Sequence, residues 1–192
     1  KANSAYSTGG PEQAIKMLNK NLDLTIEKYI SVDFAAMTDA VDLLGGIDID
    51  VDETEIDHLN NYMVETSKVT GVASKPLTHT GLQTLDGVQA TSYCRIRYTA
   101  GDDFKRTERQ REVIQELVRK AKTMEISKIN DIINAVFPKI ATNYSNKELL
   151  EMAPQMIGYD IADTAGFPFD RETGTISGRG SCVIPVNLAE NV

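Results

Sequence analysis

The chain has 192 residues, 41% of them hydrophobic, and a formal net charge of −8. That length suits one domain with a proper core. The acidic balance argues against general nucleic-acid binding, which neutralises phosphate over a broad surface, and no run approaches the roughly 18 apolar residues of a membrane span.

Residues 1–10 (KANSAYSTGG) read as a loop, and Gly10-Pro11 opens a helix with Ala14, Ile15, Leu18 and Leu22 on its apolar face. The paired glycines fit neither GxxxxGK(S/T) nor GxGxxG spacing, so they read as a turn rather than a nucleotide loop. A short strand is predicted over 28–33. Asp33 then caps a helix that turns Phe34, Met37, Ala40, Val41 and Leu44 inward and stops at Gly45-Gly46. Residues 47–51 alternate Ile and Asp up to Val51, the pattern of a half-exposed strand. The acids Asp48, Asp50, Asp52, Glu53, Glu55 and Asp57 lack the glycine and terminal glutamate of an EF-hand and read as a solvated edge. Weak periodicity over 55–80 suggests a variable excursion, in which His58 and His79 have no second metal ligand at useful spacing. Residues 81–87 are turn-rich, with Asp86 as the cap of a short helix.

Residues 93–122 stand out by charge. They hold nine of the twenty Lys+Arg residues against five acids, a +4 island in an acidic chain. Residues 91–98 predict a strand, which places Tyr93, Arg95 and Arg97 on one face and Cys94, Ile96 and Tyr98 on the other. From about Asp103 the period turns helical, with Val113, Ile114, Leu117, Val118, Ala121 and Met124 as the apolar stripe. Extended back from Ile114 in steps of four, the stripe passes Gln110 and Arg106. Arg95, Arg97, Arg106 and Gln110 thus converge on a helix start, where free N–H groups and arginine forks suit a phosphate or pyrophosphate. The other reading is an arginine pair on a solvated strand face beside a salt-bridged helix.

A second helix is expected over 127–140, and Ser145 with Glu148 forms a capping box for a third, which Pro154 kinks or ends. Strands over 160–169 and 181–186 are joined by turn-rich residues 174–180. Cys94 and Cys182 both lie in strand-like runs and read as buried thiols, with a disulfide open. No repeat or boundary is legible, so 1–192 reads as one domain. The element order predicts an α/β or α+β sandwich, helices covering a sheet.

Several of these stretches, taken together, resemble the LytR–CpsA–Psr family of cell-wall polymer ligases. The similarity runs through Lys1, Asn3, Ala5, Tyr6, Gly9 and Gly10; through Val41-Asp42 and Leu44-Gly45-Gly46; and through Gly81, Leu85, Gly87, Ala90, Tyr93, Arg95 and Arg97. It continues through Asp103, Phe104, Arg106, Arg109 and Gln110, and more loosely through Phe167-Pro168 and Val183-Ile184-Pro185. The resemblance implies an α-β-α fold with a central mixed sheet and an apolar tunnel for a polyprenyl chain. It implies an extracytoplasmic catalytic domain, tethered by an N-terminal membrane helix in mainly Gram-positive bacteria. The implied reaction moves a glycopolymer, such as teichoic acid or capsule, from polyprenyl pyrophosphate to peptidoglycan, assisted by Mg2+. By motif match, Lys1, Arg95, Arg97, Arg106 and Gln110 cradle the pyrophosphate, Arg109 and Asp103 support that shell, and Arg95, Arg97 and Asp103 take the catalytic roles. The family's earlier strands, with the Arg-x-Asp motif and further acid that hold Mg2+, would precede Lys1. The chain is therefore expected to be truncated, its sheet incomplete at the N-terminal strands, with no metal ligand assigned here. A non-catalytic module that binds lipid pyrophosphates or cell-wall anions is the alternative; a nucleic-acid partner is not expected.

Overall fold

A computed structural model describes residues 2–97, 102–156 and 158–190. Along the chain run α1 (Ser4–Leu22), β1 (Ile30–Ser31), α2 (Phe34–Leu43), β2 (Ile47–Val51), α3 (Glu53–Thr70), β3 (Gly81–Leu85) and α4 (Gly87–Tyr93). They are followed by α5 (Asp102–Lys122), α6 (Ile126–Val136), β4 (Ala141–Thr142), α7 (Asn146–Met156), β5 (Arg171–Ile176) and β6 (Gly180–Pro185). The chain divides into two compact units, Val32–Ala162 and a smaller one made of Lys1–Ser31 with Asp163–Val192.

In the larger unit the local signals act largely as read. Asp33 caps α2 by accepting the Ala36 N–H at 2.8 Å, and Gly45 and Gly46 leave the helix with φ of 80° and 86°, which only glycine adopts freely. In β2, Ile47, Ile49 and Val51 are buried while Asp48 and Asp50 face the other way. β2 pairs antiparallel with β3, Ile47 opposite Leu85 and Val51 opposite Gly81. This sheet, with Val41, Leu59, Met63, Val88, Tyr93, Ile96 and Val113, forms the core, whose burial supplies the main stabilisation. The α/β class holds, with helices packed on small antiparallel sheets.

Three expectations are corrected here. The excursion predicted over 55–80 is largely the helix α3. Asp52 and Glu55 form its capping box, and Gly71 ends it at φ 74°. Of the strand predicted over 91–98, residues 91–97 are instead the end of α4 and a turn. Asp86 accepts the Gln89 N–H, and Gln89 accepts the Asp86 N–H, each at 2.9 Å, so a helix starts at Gly87. All seven residues of α4 are buried, and that packing overrides the strand preference of Thr91 and Tyr93. The face shared by Tyr93, Arg95 and Arg97 falls with the strand; Tyr98 lies outside the described residues. The strand predicted over 160–169 does not form; β5 begins at Arg171.

Gly87 brings α2 and α4 close together. A Cβ there would lie 2.1 Å from the Thr38 carbonyl oxygen. Asp42 accepts the Gly87 N–H at 2.7 Å, and Thr38 Oγ1 meets Thr91 Oγ1 at 3.1 Å. In α7 the Ser145–Glu148 capping box is present, Ser145 N–H donating to Glu148 at 2.7 Å and Glu148 N–H to Ser145 Oγ at 3.2 Å.

In the smaller unit, α1 starts earlier than read and breaks at Gly9 and Gly10 (φ 65°), just before Pro11. β5 and β6 form an antiparallel hairpin in which Ile176 faces Gly180, turning through Gly178 at φ 72°. Among the described residues, no helix is long and apolar enough to cross a membrane.

Candidate functional site

The stripe of α5 that meets the core runs through Val113 and Arg109, one residue off the line drawn from Ile114. Val113 is fully buried, whereas Ile114 is 54% exposed and Gln110 is exposed. Adjacent apolar residues make two stripes possible, and Arg109 has a buried partner that settles the choice. Its Nε donates to Glu55 Oε1 at 2.7 Å and its Nη1 to the Ile96 carbonyl at 3.3 Å. The guanidinium also lies 5.9 Å from the Tyr93 ring centroid. Charges are buried only when paired in this way. Glu55, read as a solvated acid, is therefore one half of a buried ion pair.

Two of the predicted arginines do come together. Arg97 binds Asp103 through two contacts, Nε to Oδ1 at 3.0 Å and Nη2 to Oδ2 at 3.2 Å. Arg106, half-buried one turn before Arg109, sets its Nη1 3.2 Å from the same Oδ1. The cluster of two guanidiniums and one carboxylate is net cationic. The Nε of Arg106 is buried and has no hydrogen-bond partner among the described residues, and an unmet buried donor is unfavourable. Among the described residues, Gln110 reaches only the Cys94 carbonyl, at 3.4 Å.

Arg95 is engaged elsewhere. Its Nη1 donates to Thr66 Oγ1 at 3.0 Å, and its Nη2 pairs with Glu65. The guanidinium lies 4.7 Å from the Phe34 ring centroid and 5.1 Å from that of Tyr62. Among the described residues, these side-chain partners come from α2 and α3, and none from α5. Lys1 lies outside the described residues.

Beside the cluster, the Tyr93 hydroxyl donates to Glu112 Oε2 at 2.8 Å. Burial raises the Glu112 carboxyl above its ordinary range, and nearby Glu55, Glu116 and Asp50 add to this against the Tyr93 bond. Burial also pushes the Cys94 thiol up to about 12, with Glu112 adding to it, so this thiol is a poor nucleophile at neutral pH. Cys94 and Cys182 are both free.

Sequence reasoning missed Glu55, Phe34 and Tyr62. For Glu55 the signal was present: Asp52-x-x-Glu55 is itself a capping-box pattern. Among the described residues, no three His, Cys, Asp or Glu side chains gather into a group that could hold a metal ion.

Comparison with known proteins agrees with these motifs. The model of the LytR_cpsA_psr family matches residues 1–178. Biofilm regulatory protein A of Streptococcus mutans is 32% identical over 166 residues, 84% of this chain and 38% of that protein. The polyisoprenyl-teichoic acid–peptidoglycan teichoic acid transferase TagV of Bacillus subtilis is 30% identical over 161 residues, 83% of this chain and 39% of that protein. A solved structure of TagT bound to LI-WTA superposes with a TM-score of 0.63 at 25% identity, covering 84% of this chain and 56% of that one. The chain thus spans under two fifths to just over half of the relatives' lengths. With the family's ordered motifs, its model and its fold all present, the chain belongs to the LytR–CpsA–Psr family.

Proposed function

We propose that this chain carries the pyrophosphate-gripping part of a phosphotransferase. The enzyme moves a glycopolymer, of the teichoic acid or capsule kind, from polyprenyl pyrophosphate to peptidoglycan on the outer face of the cell membrane. The observation that carries the reading is Arg106: a buried Nε–H without a partner among the described residues, beside a second guanidinium that already grips an oxyanion. Asp103 holds the place of a phosphate oxygen between the two arginines. When the diphosphate enters, its oxygens take over those donors. Arg97 and Arg106 then stabilise the charge that builds on the departing polyprenyl phosphate. The new bond joins the acceptor hydroxyl oxygen to the glycopolymer-bearing phosphorus, and the bond from that phosphorus to the bridging oxygen breaks. Asp103, released from the arginines, takes the hydroxyl proton.

The relatives named as teichoic acid transferases and the TagT structure with LI-WTA support this substrate class. The test is titration of the protein with farnesyl pyrophosphate, a soluble short-chain probe. Arg106→Gln is expected to weaken binding by about tenfold or more, the loss of one charge-assisted hydrogen bond. Unchanged binding would sink the proposal. A second reading, binding without turnover, draws on Asp103 being held at three contacts by two arginines. Transfer of a labelled lipid-linked glycan to peptidoglycan excludes it.

A further inference from the structure

Glu55 lies in the first turn of α3, distant in sequence from the arginines, yet only 8% of its side chain is exposed. Its two oxygens serve different partners. Oε1 accepts from Arg109 at 2.7 Å, and Oε2 accepts the Asp52 N–H at 3.1 Å. The second bond completes the capping box of α3, so the carboxylate cannot turn away without opening the helix start. Arg109 in turn holds the carbonyl of Ile96, the residue before Arg97. Arg106 lies three residues before Arg109 on α5, just under one helical turn. A continuous line of buried contacts therefore joins the start of α3 to the backbone that carries Arg97 and to the helix that carries Arg106.

We infer that Glu55 is a positioning residue for the phosphate-binding arginines. By pinning Arg109 against the Ile96 carbonyl, it sets the spacing between Arg97 and Arg106 before any ligand arrives. The inference rests on the pyrophosphate reading above and adds a residue to it. A guanidinium buried without its carboxylate is strongly unfavourable, which keeps the pair closed. Fixing the two arginines in advance removes part of the ordering cost of binding. A diphosphate that engages both arginines depends on their spacing, whereas a monophosphate needs only one.

The test compares farnesyl pyrophosphate with farnesyl monophosphate, titrated well below each variant's melting temperature. Glu55→Gln keeps the shape and an acceptor oxygen but removes the charge. It is expected to lower the preference for the diphosphate about tenfold, as misplaced partners lose preorganisation. Leu59→Ala, one turn further along the same helix and fully buried, is expected to lower the melting temperature while keeping the wild-type preference. If Glu55→Gln fails to fold, the double variant Glu55→Met with Arg109→Met replaces the pair by apolar packing and must show the same fall. Wild-type preference in the Glu55 variants would overturn the inference, as would an equal fall in Leu59→Ala. Neither result touches the parent reading, which fails only if Arg106→Gln binds the diphosphate as the wild type does.

Discussion

Arg97 and Arg106 share a single acceptor, Asp103 Oδ1, at 3.0 and 3.2 Å. Two like charges brought to one oxygen repel each other unless an anion lies between them, and Asp103 is that anion in this structure. Asp103→Asn removes it and raises the local charge from +1 to +2. Farnesyl pyrophosphate is therefore expected to bind about threefold or more tightly to this variant, with a steeper dependence on salt, since exposed charges are screened. On the proposed mechanism glycan transfer is expected to fall, because the variant lacks the carboxylate to which the acceptor proton is assigned. Titration at two salt concentrations, run beside the transfer assay, checks both parts.

Glu112 gives a pH prediction. Its carboxyl is raised in the folded chain above the ordinary 4.5. The folded state therefore holds this proton more tightly than the unfolded one. The associated stability is complete below about pH 4.5 and is lost as the pH climbs through the raised value. Glu112→Gln keeps an acceptor for the Tyr93 hydroxyl but has nothing to ionise. Its melting temperature is expected to match the wild type near pH 4 and to exceed it at pH 7 by roughly a few degrees at most, because the half-buried group is partly screened by water. Thermal melts of both proteins across that range provide the check. An equal offset at every pH would contradict it.

Arg95 is flanked by Phe34 and Tyr62 and bonded to Thr66 and Glu65. A lysine keeps the charge but has neither the flat face nor the fork. Arg95→Lys is expected to destabilise the larger unit by about 1–2 kcal/mol, mainly through lost stacking and one hydrogen bond. Urea unfolding measures this directly, and an unchanged midpoint would show that the aromatic contacts contribute nothing.

The parts of this fold that were legible in sequence are those set by neighbours along the chain. Asp33, Gly45-Gly46 and the Ile-Asp alternation of β2 each act over a few residues, and each behaves as read. The same holds for the start of α7 at Ser145 and Glu148. The strand expected over 91–98 failed, in its described part, because the Asp86–Gln89 cap and close packing against α2 and α3 outweigh local strand preference. The candidate site was half legible. The charge island and the helix that carries Arg106 came from pattern alone. Which stripe of α5 faces inward was decided by Glu55, fifty-four residues earlier in the chain, and no local period could reveal that partner.

The close approach at Gly87 reaches beyond packing. Alanine would place a methyl 2.1 Å from the Thr38 carbonyl oxygen, so Gly87→Ala must push α2 and α4 apart, at a cost of about 3 kcal/mol or more for a backbone clash of this kind. In a library of all substitutions screened for folded protein, position 87 is expected to return glycine alone. Gly178, whose added Cβ would meet nothing within 4 Å, is expected to accept asparagine and aspartate, which tolerate the left-handed backbone. One hydrogen in place of a side chain is thus a constraint on which sequences can inherit this fold.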